Sequence, residues 1–148
     1  MTAGRKLAVV EDDRTYRLDG QIGFLLRKAN QRHVAIFAKH ISDLTPPQFA
    51  TLAKLDEVGP TSQNQLGAMV AMDAATIKGV IDRLKARKLV GLTPDREDRR
   101  RIVVSLTEEG RSIVGGLLAA AATITEETLA PLNGREAATL LRLLAKLT

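Results

Sequence analysis

The 148 residues carry 22 Lys/Arg against 17 Asp/Glu, a formal net charge of +5, with 45 % apolar and 26 % charged residues; this is the balance of one globular domain and excludes a disordered chain. Cysteine is absent, which excludes a disulfide framework, a thiol nucleophile, a thiolate metal site and a cysteine-based peroxide sensor. Tyr16, Phe24, Phe37 and Phe49 are the only aromatics, so the core must be built from Leu, Ile, Val and Ala, which suits packed helices better than sandwiched sheets.

The start, Met-Thr-Ala-Gly-Arg-Lys, leads into four apolar residues and then Glu11-Asp12-Asp13, which is no signal peptide. No apolar run approaches the ~20 residues needed to span a bilayer, so the expected location is the cytoplasm, with no membrane partner. The first dozen or so residues are polar and unpatterned, and mobility is expected there. From Tyr16 to Ile41, Leu18, Ile22, Leu25, Ala29, Ile36 and Phe37 fall at steps of three and four, which predicts one long helix of roughly two dozen residues. Thr45-Pro46-Pro47-Gln48 starts the next helix with a capping box and a proline in the first turn; it runs to Gly59-Pro60. Ser62-Gln63-Asn64-Gln65 opens a short helix through Val70, and after the turn Ala71-Met72, Asp73 caps a third helix from Ala74 to Arg87.

The period then changes. Leu89–Thr93 and Ile102–Leu106 are short β-prone runs, and between them Pro94 is followed by seven consecutive charged residues, Asp95 to Arg101, which predicts a hairpin with a charged tip. Thr107 caps a helix whose stripe is Ile113, Leu117, Ala121 and Ile124, and Asn133 caps a last one bearing Leu140, Leu141, Leu144 and Leu147. Gly115-Gly116 reads as a close-packing site. The predicted fold is mainly α with a small β-wing. Residues 45–106 form a winged helix-turn-helix lobe, and residues 16–41 and 107–148 form apolar helices that a second copy would cover as a homodimer.

The helix beginning at Ala74 needs an apolar face for its own core and a slim polar face for a major groove. Ile77, Val80, Ile81 and Leu84 serve the core; Ala74, Ala75, Thr76, Lys78, Gly79 and Arg83 face outward, where Thr76, Lys78 and Arg83 have the groups to meet base edges or phosphates. Arginines at the hairpin tip, Arg99, Arg100 and Arg101, fit a minor groove, and Asp98 among them is expected to hold one of them by a bidentate pair. The basic excess agrees: residues 62–111 carry ten Lys/Arg against seven Asp/Glu, whereas residues 112–148 carry three of each.

Asp82-Arg83-Leu84, Leu89-Val90, Pro94-Asp95-x-Glu97-Asp98-Arg99-Arg100 and Leu106-Thr107-Glu108-Glu109-Gly110 together resemble the multiple antibiotic resistance regulator (MarR) family, over residue 16 to the end. The resemblance implies a homodimer on a palindromic double-stranded operator, usually repression, and release by a small phenolic or aromatic acid. By that similarity Arg100 makes the wing-tip contact and Asp98 positions it. Lys88 stands where the family often has glycine, and Gly91-Leu92 where a basic residue is frequent. Ser62-Gln63-Asn64, placed with the DNA-binding residues, and the run Ala71 to Gly79 look like the branch that controls aromatic-acid catabolism, the nicotinate-degradation repressors, whose effector would be 6-hydroxynicotinate.

His33 and His40 lie seven apart on one side of the first helix, ~10.5 Å along its axis, which makes a single shared metal awkward. Their open readings are hydrogen-bonded interface residues, effector-pocket residues with Phe49 and Arg17, or a metal role, and no cofactor or metal is expected. No phosphate-binding glycine loop, serine elbow or metal-ligand spacing supports an enzyme. The rivals to an effector-gated regulator are a winged domain that binds a protein partner and a DNA-binding protein that ignores effectors; RNA binding lacks stacking aromatics in the middle segment.

Overall fold

In a computed structural model, which describes residues 15–148, a short 3-10 turn at Leu18–Gly20 precedes α1 (Ile22–His40). There follow α2 (Pro46–Val58), β1 (Thr61–Ser62), α3 (Gln63–Met69), α4 (Ala74–Ala86), β2 (Val90–Pro94), β3 (Ile102–Leu106), α5 (Glu108–Leu129) and α6 (Gly134–Lys146). The expectation of mobility before Tyr16 falls mostly outside the described residues. The single first helix is corrected: Gln21 is extended (φ −84°, ψ 138°), and its side chain donates to the Arg17 carbonyl, so the apolar period runs through a turn before the 19-residue helix begins.

The capping signals act as expected. Thr45 and Gln48 form a reciprocal capping box, as do Asn133 and Glu136. Ser62, Asp73 and Thr107 each accept the backbone N–H three residues on. These bonds satisfy donors that a helix start otherwise leaves open.

The expected hairpin forms from β2 and β3, and β1, which the sequence did not reveal, adds a third antiparallel strand in the order β1-β3-β2. Thr61 pairs with Val104 and Ser62 with Val103, while β2 and β3 align Val90 with Leu106 through Pro94 with Ile102. Two residues are too short to show a period, and Ser62, as helix cap, masks the strand it ends.

One core joins the lobe to the flanking helices. Leu52, Leu55, Leu66, Ile81, Leu84 and Val104 are essentially sealed from solvent, and Phe37 of α1 with Val114 and Ile124 of α5 continue the same cluster. The other end of that layer is bare. Leu18, Ile22 and Leu25 are about half exposed, as are Leu118, Leu141 and Leu143, and α6 buries no residue at all. Full burial of such a side chain contributes about 1.5–3 kcal/mol, so these faces have much to gain from being covered. Among the described residues no single helix is long and apolar enough to cross a membrane.

Candidate nucleic-acid interface

The lobe brings α3, α4 and the wing tip to one surface. α3 and α4 meet at Gly67, where a Cβ would lie 3.0 Å from Ile77 Cγ2 and 3.1 Å from the Met72 carbonyl oxygen. The turn between them is a left-handed helix end: Ala71 has φ 57°, Met72 N–H donates to the Gly67 carbonyl at 2.9 Å and Ala71 N–H to that of Ala68 at 3.4 Å. Asp73 then accepts the Thr76 N–H at 2.7 Å. That bond is the main reason its carboxyl is held below its ordinary value.

α4 buries Ile77, Val80, Ile81 and Leu84 and leaves Ala74, Ala75, Thr76, Lys78, Gly79 and Arg83 exposed, the division expected from the sequence. A Cβ on Gly79 would meet nothing within 4 Å, so the outward face is slim as well as open. Lys78 Nζ sits 2.9 Å from Asp82 Oδ2, one turn on. At the helix end Lys88, the residue standing where glycine is frequent, takes φ 61°: Lys88 N–H donates to Lys85 and Leu89 N–H to Leu84, so the turn into the wing forms without glycine. Arg87 ties this end to Asp43, donating to its carbonyl at 2.6 Å.

The wing tip spans residues 95–101, closed by Asp95 N–H donating to the Arg101 carbonyl at 2.9 Å. Asp98 acts differently from the expected bidentate pair. Its Oδ1 accepts the backbone N–H of Arg100 at 3.0 Å, while the nearest guanidinium nitrogens, Arg100 Nε and Arg101 Nε, stand at 3.6 and 4.0 Å. The Arg100 side chain is 95 % exposed, and solvent competes for its charge; Asp98 fixes the backbone from which the arginine projects. Ser62, Gln63 and Asn64 face Arg100 and Arg101 across an open cleft of about 290 Å³, with Gln65 and Ile102 completing its walls. Arg99 is exposed on the same tip.

The remaining candidates lie at the α1–α5 joint. His40 Nε2 is 2.7 Å from Glu127 Oε1, and His33 Nδ1 is 2.9 Å from Thr128 Oγ1, so both histidines grip the end of α5 in their own protomer. Arg32, which the sequence did not single out, donates to the Thr128 carbonyl and, at 2.7 Å, to that of Glu127, carbonyls that a helix end leaves open. Phe49 is half-buried and meets Phe37 edge-on at 6.1 Å between centroids. Arg17 precedes α1, whose first residue is already about 27 Å along the axis from His40, so one protomer does not bring it to the other three. Among the described residues no group of three His, Asp or Glu could hold a metal.

A helix-turn-helix with a bare, slim second helix, flanked by an arginine-tipped wing, defines a winged helix-turn-helix DNA-binding lobe. Residues 42–101 match the MarR family model. The HTH-type transcriptional repressor NicR of Pseudomonas putida is 45 % identical over 138 residues, covering 92 % of this chain and 87 % of that one. This chain belongs to the MarR family, whose members are DNA-binding transcriptional regulators rather than enzymes. Two solved structures resemble it over most of its length. A probable transcriptional regulator from Pseudomonas aeruginosa has a TM-score of 0.85 and 53 % identity, over 89 % of this chain and all of that one. BpsR of Bordetella bronchiseptica, whose DNA binding is regulated by 6-hydroxynicotinic acid, has a TM-score of 0.86 and 43 % identity, over 90 % and 96 %.

Proposed function

We propose that this chain works in the cytoplasm as a homodimeric repressor of an aromatic-acid catabolic operon, nicotinate degradation in particular, and that a small aromatic acid, 6-hydroxynicotinate, releases it from a palindromic operator. The observation that carries the DNA reading is the cleft in which Ser62–Asn64 face Arg100 and Arg101 beside the open face of α4. Dimerisation through the bare faces of α1, α5 and α6 would present two α4 helices to successive major grooves ~34 Å apart, with the wings in the flanking minor grooves. Phosphate contacts from Arg99, Arg100, Arg101 and Arg83 supply most of the affinity; Thr76 and Lys78, beside the small Ala74, Ala75 and Gly79, supply sequence choice.

The likeness to BpsR, whose DNA binding 6-hydroxynicotinic acid regulates, supports the choice of acid. Its proposed seat is the α1–α2 junction, where Phe49 offers a ring and His40 a hydrogen bond now taken by Glu127. An acid carboxylate on His40 would free Glu127 and loosen the grip of α1 on α5, the helix that carries the wing. His33 holds the neighbouring Thr128, and Arg17 of a second copy is the candidate guanidinium. Release requires that the acid bind the DNA-incompetent spacing more tightly than the competent one.

Fluorescence anisotropy tests this on the chain's own upstream DNA against unrelated DNA, over a salt series and with 6-hydroxynicotinate. Tight, salt-sensitive, selective binding reversed by the acid is the expected result. Selective binding that no aromatic acid reverses would leave a regulator without this effector. Equal weak binding to both DNAs would overturn the reading in favour of a protein-binding winged domain.

A further inference from the structure

α4 carries a carboxylate where a DNA-reading helix would gain most from having none. At 100° per residue, Ala75, Gly79, Asp82 and Ala86 fall opposite the buried Ile77–Val80–Ile81–Leu84 side, so Asp82 sits in the outermost stripe with Lys78 beside it. Asp82 Oδ2 holds Lys78 Nζ at 2.9 Å with both side chains more than half exposed. No other ion pair among the described residues involves a cation of the outward α4 face; Arg83 and Lys85 have none. Stability does not account for the pair. An exposed i,i+4 pair with the lysine N-terminal to the carboxylate is the weaker orientation, worth a factor of about two. Against a polyanion the carboxylate weakens every complex.

We propose that Asp82 is the specificity-setting residue of this helix: it holds the Lys78 ammonium along the helix and so withholds that charge from phosphates, releasing it only where base edges replace both partners. The inference rests on the DNA-binding reading and deepens it. Non-specific affinity follows the number of phosphates neutralised, and a lysine already paired is removed from that number. A G·C pair in the major groove offers what the couple would otherwise lose: guanine O6 and N7 accept from the ammonium, and the cytosine N4 amine donates to the carboxylate. The paired side chains therefore favour a G·C step under the middle of α4 and penalise DNA that offers only phosphates.

The experiment compares wild type, Asp82→Asn, Asp82→Glu, Lys78→Ala and Lys78→Ala/Asp82→Asn on the upstream and unrelated DNAs between 50 and 200 mM salt. Asp82→Asn should raise affinity for unrelated DNA by up to about threefold at the low-salt end and steepen the log–log salt slope by up to about 0.9, the limit set by one fully freed cation. Its preference for the upstream DNA should fall by more than that factor, because a neutral amide oxygen accepts from the cytosine amine more weakly than the carboxylate does. Asp82→Glu, which keeps the charge, should keep the wild-type salt slope on unrelated DNA. In the Lys78→Ala background the Asp82→Asn change in slope should vanish. Unchanged preference and slope in Asp82→Asn, with a selective wild type, would overturn this inference alone. A slope change that persists without Lys78 would overturn the positioning role, leaving a bare charge effect. A wild-type chain that fails to discriminate the two DNAs would overturn the regulator reading, and this inference with it.

Discussion

Replacing Gly110 with alanine puts the joint between wing and base under a load that can be worked out. Gly110 is the third residue of α5, and a Cβ there would lie 2.1 Å from the carbonyl oxygen of Leu89, with Leu106 Cδ2 at 3.3 Å. The oxygen has little room to retreat: it accepts the Thr107 N–H at 3.1 Å, and the Leu89 side chain is 1 % exposed within the core. Relief needs a movement of about 1 Å, and α5 is the element that must slide, since backbone contacts in packed interiors do not compress. That slide breaks or lengthens the Thr107–Leu89 bond and the bond from the Thr107 hydroxyl to the Lys88 carbonyl, now 2.7 Å. Overpacking of this kind costs about 1–3 kcal/mol, and each hydrogen bond about 1 kcal/mol more. Against this the better helix propensity of alanine returns at most about 1 kcal/mol. Gly110→Ala should therefore lose about 3 kcal/mol, or about 10 °C in melting temperature for a chain of this size. The assay is thermal and urea unfolding by circular dichroism at one fixed protomer concentration, because a dimer's melting point depends on concentration. A melting point within 2 °C of wild type would refute the packing argument.

Lys88→Gly should act in the opposite direction: the φ of 61° costs a lysine about 1 kcal/mol that glycine avoids, so the variant should melt a few degrees higher, and Ala71→Gly at φ 57° likewise. Arg100→Ala should leave the melting point unchanged, because the side chain is 95 % exposed, yet weaken binding to all DNAs and lower the salt slope by about 0.9. The carboxyl of Asp73 is held below its ordinary 3.8 by the Thr76 N–H, so its stabilisation is fully present above that value and disappears as pH falls through the lower folded one. The stability gap between wild type and Asp73→Ala should therefore be constant at neutral pH and narrow only below about pH 4 in acid titrations of the melting point. A gap that narrows near pH 6 would assign the effect to another group.

The parts of the fold legible in the sequence were those written in local chemistry. All five helix caps, from Thr45 to Asn133, lie where a short side chain precedes an apolar period, because the bond each makes spans only three residues. The outward face of α4 followed from the 3.6-residue period. What escaped depends on contacts distant in the chain. β1 exists only because β3 lies beside it, and the grip of Arg32, His33 and His40 on α5 joins residues nearly a hundred positions apart. Gly110 was legible as part of a motif, but its reason, the Leu89 carbonyl against its α-carbon, is tertiary. The role expected of Asp98 failed in detail because a short carboxylate meets a nearby backbone N–H more readily than a long, solvated guanidinium.

In the proposed function DNA and an aromatic acid compete through two states of one dimer, so the binding of each is linked to that of the other. Isothermal titration of 6-hydroxynicotinate into the free protein and into its complex with the upstream DNA gives two affinities for the acid. The factor between them must equal the factor by which saturating acid weakens DNA binding. Equal factors, about tenfold or more, are expected, with the acid favouring the free protein. Identical affinities for the acid with and without DNA would contradict it.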